Sequence, residues 1–328
     1  MKQFVQLIAG CVALSFATFA SAATVLKFSH YMDQSHAAHA SAQQFAKNVE
    51  ARTKGEVKVE VYSGSQLGSP PEQLQQVKLG TLDMGVPTQG QLDKFEKSFA
   101  AVMLPFSFAS YDEAHRVLDG PAMQWLAPLA EKQGFKILSN WELGFRNLTT
   151  KAKPINSPDD VKGLKIRVPP EVQLEATMEA LGAQVVKIAF PELYMALSQG
   201  VVDGQENPFS VIMSVKAYEV QKHLAVTRHM YNSMVHVMNL STWNKLTPAQ
   251  QKIVQEESKA AGTAMRKAVV DAENEQLAKL QQLGMQVTRP DLAPFRARMT
   301  PAIAKISAYA GEENVKKFQK ILEDSRKK

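Results

Sequence analysis

The sequence predicts an α/β protein of two lobes, a clamshell with one long helix spanning both lobes. Three observations predict it. Strand and helix signals alternate along the chain, as βα units with largely parallel sheets require. The 328 residues exceed what one compact domain usually holds, yet no Gly/Ser linker, repeat or low-complexity tract divides them. From Thr247-Pro248 to Gly284 the chain reads as helix, interrupted only by Gly262. Straight, that helix is roughly 50 Å long, more than one small domain can bury, and natural as a strut across two. Without a linker, the chain must cross between lobes more than once.

The N-terminus is a leader. Met1-Lys2 carries one positive charge, residues 4–19 are uncharged and mostly apolar, and Ala20-Ser21-Ala22 supplies a small-residue cleavage pattern. This reads as a secretory signal peptide over residues 1–22. Ile8-Ala9-Gly10-Cys11 resembles the box before a lipid-modified cysteine, but cleavage there would leave the apolar residues 12–19 exposed. Cleavage after Ala22 removes the single cysteine of the chain, so the mature protein is expected to have no disulfide. No other stretch has the length of a membrane span.

The mature elements follow in order. Residues 25–28 read as an opening strand. Residues 35–53 read as a helix capped by Ser35 and closed by Gly55. Residues 57–62 alternate as a strand does. Residues 70–79 form a helix stopped by Gly80, and 82–86 a strand. Helix over 112–133 breaks at Gly120-Pro121, and 135–150 is extended. Ser157-Pro158-Asp159-Asp160 is a helix start. Strand over 164–168, helix over 171–181, strand over 184–188 and helix over 191–198 follow. A short strand follows Val201-Val202-Asp203. Helix over about 210–224 and strand over 234–240 precede the long helix.

Charge and motifs exclude several classes. The formal +6 falls to +5 without Lys2, 37 basic residues against 32 acidic. These charges are dispersed, whereas a nucleic-acid binder shows a clustered basic stripe. Seven histidines are present, and His36 and His39 could share a helix face, but no acid or cysteine completes a metal set. A Gly-x-Ser-x-Gly elbow, a phosphate loop and a dinucleotide fingerprint are all lacking. The sequence therefore predicts no catalytic residue, metal or cofactor.

The positive signal lies between Gly144 and Pro208. In Gly163-Leu164-Lys165-Ile166-Arg167-Val168-Pro169, the apolar side chains take one strand face and Lys165 and Arg167 the other. On pattern alone this is a solvated edge. Gly144-Phe145-Arg146-Asn147 sets a second arginine among apolar neighbours. Val202-Asp203-Gly204-Gln205-Glu206-Asn207-Pro208 reads either as a surface turn or as a cleft-edge strand presenting an amide.

These segments resemble the substrate-binding subunits of tripartite ATP-independent periplasmic (TRAP) transporters, of the dicarboxylate and sialic-acid type. The likeness covers essentially the whole mature chain. It includes Ser65-Gln66-Leu67-Gly68, Gly80-Thr81-Leu82-Asp83, Ala189-Phe190-Pro191-Glu192-Leu193-Tyr194 and Tyr218-Glu219-Val220-Gln221-Lys222. The resemblance implies a periplasmic-binding-protein clamshell in which Arg167 forms a two-pronged salt bridge to a ligand carboxylate. It implies Arg146 as a supporting arginine, Asn207 as a contact to the carboxylate end, and Phe190 as a ring beside the ligand. A guanidinium fork fits a carboxylate bidentately, as lysine cannot.

The rest of the ligand is expected to meet His30, Glu72, Gln89 and Tyr231, with Tyr31, Thr88, Trp141 and Glu142 near them. This polar set points to a hydroxylated ligand such as a uronate or aldonate, with dicarboxylates and keto acids as competitors. The expected division puts residues 23–143 and about 232–268 in lobe I, and 144–231 and about 269–328 in lobe II. The resemblance further implies a monomeric periplasmic receptor serving a sodium- or proton-coupled membrane permease. A periplasmic enzyme acting on an organic acid, and a sensory subunit using the same cleft, are the alternatives.

Overall fold

The computed structural model describes residues 23–327, so the expected leader over residues 1–22 lies outside the described residues. The first half runs β1 (Thr24–Ser29), α1 (Ala37–Arg52), β2 (Val57–Tyr62), α2 (Pro70–Leu79), β3 (Met84–Gly85), α3 (Tyr111–Val117), α4 (Met123–Lys132) and β4 (Phe135–Thr150). Then come β5 (Lys165–Val168), α5 (Val172–Ala180), β6 (Gln184–Lys187), α6 (Leu193–Ser198), β7 (Gly204–Asn207), α7 (Phe209–Ser214) and β8 (His223–Asn239). The chain ends with α8 (Leu240–Lys245), α9 (Pro248–Gln282), β9 (Gln286–Thr288), α10 (Ala293–Ala297), α11 (Thr300–Ala310) and α12 (Glu312–Arg326).

Among the described residues the strands run β2-β1-β3-β8-β4-β7-β5-β6, with β9 on β8. β1 is parallel to β2 and β3 at one end. β5 is parallel to β6 and β7 at the other. The long strands β4 and β8 join the two ends as an antiparallel ribbon, from Phe135 opposite Asn239 to Thr150 opposite His223. The result is the two-lobed α/β arrangement that the alternating strand and helix signals predict.

The ribbon slips register between Glu142 and Gly144 and again between Arg146 and Leu148. Bulges of this kind twist a strand pair and re-aim its side chains. Gly144 takes φ +114° there, and a β-carbon at that position would meet the Tyr111 hydroxyl at 3.1 Å and Pro208 Cβ at 3.3 Å. Arg228 takes φ +42° on the opposing strand. Both slips flank Arg146, so the bulges set its direction.

Three differences from the sequence reading have local causes. The helix expected over 210–224 is only α7; Lys216 at φ +53° ends it, and His223 already pairs with Thr150. Ser35 does not cap α1, because His36 does so, its Nδ1 accepting from the Ala38 amide at 3.1 Å. The start at Pro158 yields a single 3₁₀ turn over Pro158–Val161, capped reciprocally by Ser157 and Asp160.

Helix α9 is continuous through Gly262. Its first half buries Val254, Ala261 and Met265 against Phe28, Phe45 and Trp141. Its far end buries Leu277 and Leu280 against Leu193, Leu197 and Leu224. The helix therefore spans both lobes, and the two cores fix it at both ends. A third, larger core joins Val77, Phe99 and Leu126 to Leu174, Phe295 and Phe318.

At Gly262, α9 packs tightly against β4. A β-carbon there would sit 2.5 Å from the Asn140 carbonyl oxygen and 2.9 Å from Trp141 Cδ1. The carbonyl cannot rotate away, so the helix itself must shift. Gly262→Ala is expected to lower stability by about 1–3 kcal/mol through overpacking, outweighing the roughly 1 kcal/mol that alanine gains in a helix. Urea denaturation checks the sign; a more stable variant would refute this close packing.

Candidate functional site

The carboxyl ends of the parallel strands converge on one small cavity, the usual location of a binding crevice in α/β sheets. Tyr31 and Met32 follow β1, Thr88 and Gln91 follow β3, Arg167 lies in β5 and Pro169 and Glu171 follow it. Phe190 follows β6, Asn207 ends β7, and Leu143 and Arg146 come from β4. The space between them is ≈ 20 Å³, room for about one water molecule. The Tyr31 and Phe190 rings meet edge to face with centroids 5.0 Å apart.

Arg167 is 1% exposed. Its Nε and Nη2 both donate to the Ile188 carbonyl oxygen, at 2.9 and 2.7 Å. That grip orients the guanidinium and leaves Nη1 without a protein hydrogen bond among the described residues. Among the described residues no carboxylate stands within ion-pair distance of it. Burial, and then repulsion from Arg146, pull its pKa down to about 10. An arginine so buried and unpaired has desolvation to recover, and an incoming anion would supply the missing partner.

Arg146 is placed differently. It forms a two-pronged ion pair with Glu206, Nε to Oε2 and Nη2 to Oε1, while Nη1 donates to Asn232 Oδ1 at 2.8 Å. Nη2 also donates to the Glu206 carbonyl oxygen at 2.7 Å. Burial opposes the charge on both partners, yet Glu206 stays below the ordinary carboxylate range because Arg146 and His229 hold it ionised. Arg146 is thus a fixed positive charge behind Arg167, already neutralised by its own acid. Asn207 is 3% exposed, and its Nδ2 donates to Gln205 Oε1 at 2.5 Å.

The structure brings Arg167, Arg146, Asn207 and Phe190 to one cavity. It places the other four expected residues elsewhere. His30 is buried behind β1, its Nε2 3.1 Å from His39 Nδ1 and its ring against Phe28; burial drives its pKa down to about 3. Glu72 caps α2, its Oε2 accepting from the Ser69 amide and hydroxyl at 2.7 Å each. Gln89 turns toward β8, where its Oε1 accepts from Ser233 Oγ at 2.7 Å. Tyr231 lies under an aromatic cluster with Phe108, Tyr111 and Phe145, its hydroxyl donating to Glu142 Oε2 at 3.0 Å. None of the four lines the cavity.

Glu171 is the residue that sequence reasoning missed. An acid at the start of a helix reads as a favourable dipole partner, which hid it. The signal was Pro169-Pro170 before it, holding the chain extended out of β5 into the cavity. It is 1% exposed. Oε1 accepts from Thr88 Oγ1 at 2.8 Å and Gln91 Nε2 at 3.3 Å, while Oε2 is buried with no partner. Burial pushes its pKa up to about 7, with Arg146 and Thr88 pulling down and Asp93 and Glu206 pushing up.

This has a consequence for stability. Between the ordinary 4.5 and about 7 the folded protein holds a proton at Glu171 that the unfolded chain has released. Stability contributed there is lost as pH rises through that window. Glu171→Gln removes the ionisable group, and its amide oxygen can still accept from Thr88 and Gln91. The variant should be the more stable protein at pH 8, by on the order of 2 kcal/mol, with the gap closing near pH 4.5. Melting curves at the two pH values check this; a gap that widens toward acid contradicts it.

Comparison with known proteins gives a consistent result. Residues 28–309 match the family described as bacterial extracellular solute-binding protein, family 7. The sialic acid-binding periplasmic protein SiaP of Vibrio cholerae is 34% identical over 97% of this chain and 99% of its own. The C4-dicarboxylate-binding periplasmic protein DctP of Rhodobacter capsulatus is 33% identical over 93% of this chain and 94% of its own. The crystal structure of a TRAP periplasmic solute-binding protein from Polaromonas sp. JS666, bound to D-erythronate, superposes with a TM-score of 0.86. It is 34% identical, covering 90% of this chain and 98% of that one.

Proposed function

The chain belongs to family 7 of the bacterial extracellular solute-binding proteins, a family of non-enzymatic receptors, and on that premise we propose that it captures a small organic acid by its carboxylate at Arg167. The observation that carries this reading is the buried, oriented and unpaired guanidinium at the cavity wall. Arg146, paired with Glu206, holds the wall behind Arg167 in place, Asn207 offers its amide, and Phe190 closes the apolar side. A cavity of ≈ 20 Å³ is too small for any such acid, so the two ends of the sheet must part to admit it. The proposed division is residues 23–143 with about 232–268, and residues 144–231 with about 269–328.

Within that class we favour a sugar acid such as an aldonate or uronate. The support is the polar wall: Tyr31, Thr88, Gln91 and Glu171 face the cavity with hydrogen-bonding groups. The relatives named above bind sialic acid, a C4-dicarboxylate and D-erythronate, so a dicarboxylate is the competing reading. The receptor is proposed to be exported by a cleaved signal peptide over residues 1–22, to work in the periplasm as a monomer, and to hand its ligand to a TRAP permease.

A thermal-shift panel of aldonates, uronates, dicarboxylates and keto acids tests the reading. A ligand at 100 times its dissociation constant stabilises the protein by about 2.7 kcal/mol. Sugar acids should give the largest shifts, with no ligand turnover on prolonged incubation. No shift from any carboxylate would contradict the proposal.

A further inference from the structure

Four charged side chains line or back the cavity. Glu206 is used by Arg146 and by His229, whose Nε2 lies 3.1 Å away. That leaves Arg167 as the cation without an ion pair and Glu171 as the acid without one. Glu171 is built into the wall: Thr88 and Gln91 hold Oε1, and Gly90 makes room for Oε2, since a β-carbon there would collide with it. Three buried polar atoms on the wall residues have no partner among the described residues: Tyr31 OH, Gln91 Oε1 and Glu171 Oε2. Two of these can only accept while Glu171 is ionised.

We propose that Glu171 is the selectivity residue of the cleft, turning away a second carboxylate and accepting a hydrogen bond from a hydroxyl of a mono-anionic acid. The proposal rests on the reading of Arg167 as the carboxylate ligand. One ligand carboxylate at Arg167 uses the available cation. A second finds no free cation, meets Glu171 instead, and adds acceptors beside Gln91 Oε1 and Glu171 Oε2, which already lack a donor. Like charges in a closed, water-poor cleft repel strongly. A hydroxyl is neutral and brings a donor to the unpartnered Glu171 Oε2, so burying it there satisfies both groups.

Calorimetric titration of the purified protein at about pH 8.5, above the pKa of about 7 that burial gives Glu171, with D-erythronate, D-galactonate, D-glucuronate and succinate tests this, alongside Glu171→Gln, Glu171→Asp and Arg167→Ala. The wild-type protein should bind at least one sugar acid tenfold or more tighter than succinate. Glu171→Gln should shrink that ratio at least tenfold, chiefly by gaining succinate affinity. Glu171→Asp keeps the charge and should still reject succinate. A ratio unchanged within twofold in Glu171→Gln, with Arg167→Ala inactive, overturns the role of Glu171 and leaves the carboxylate site standing. Wild-type preference for succinate also overturns it. Full binding by Arg167→Ala, or no binding of any of these acids by the wild-type protein, overturns instead the reading beneath it.

Discussion

Arg167→Ala should weaken binding of the cognate acid by about 2–5 kcal/mol, roughly 30- to 5000-fold in dissociation constant. The geometry says why the loss is large. The Ile188 carbonyl takes two of the guanidinium donors and aims the rest, so the charge is placed before the ligand arrives. Arg167→Lys should recover little of the loss. A single ammonium cannot serve the Ile188 oxygen and grip a carboxylate with two parallel bonds. The fold should survive both changes, because no buried acid depends on Arg167 as an ion-pair partner. Titration calorimetry with a matching melting curve measures both effects; less than a threefold loss would remove Arg167 from the site.

Arg146→Ala should do the opposite: it should cost stability first. Truncation strands Glu206, which is fully buried, with only His229 beside it. Breaking a buried pair from one side costs about 3–5 kcal/mol. It also removes the donors to Asn232 and the Glu206 carbonyl, which tie β4 to β8 and β7. The expected result is a large drop in the denaturation midpoint, with whatever folded fraction remains still binding acid weakly. A loss below 1 kcal/mol would show that the pair is not holding the ribbon. The expected roles of the two arginines differ, and this pair of variants separates them.

Much of the fold was legible because its signals are local. The alternation over Val57–Tyr62, the Pro70 start and Gly80 stop of α2, and the full extent of Phe135–Thr150 follow from periodicity, caps and turn residues. The long helix was legible for the same reason, except at Gly262. There a residue that looks like a helix breaker is a packing device against Trp141. The first half of β8 was not legible. Its bulge around Arg228 breaks the two-residue alternation, and the preceding helical turns of α7 blur into it.

The site divides along the same line. Arg167, Asn207 and Phe190 stand in ordered motifs whose likeness to a known family carried them. His30, Gln89 and Tyr231 are polar residues next to strand ends, and sequence cannot tell which side of a strand end faces the cavity. His30 turns into the core toward His39, and Tyr231 turns toward Glu142. Glu72 was a helix cap all along, and the Ser69-Pro70-Pro71-Glu72 spacing already carried the capping-box signature. Glu171 was missed because its burial depends on contacts with Thr88 and Gln91, about eighty residues away in sequence. No local pattern reports such a contact.

The most direct test is a crystal structure of the protein with the acid that gives the largest thermal shift. The account predicts the ligand carboxylate within hydrogen-bond distance of the Arg167 guanidinium, between Phe190 and Asn207, with a ligand hydroxyl on Glu171. A ligand carboxylate seated away from Arg167 would contradict it.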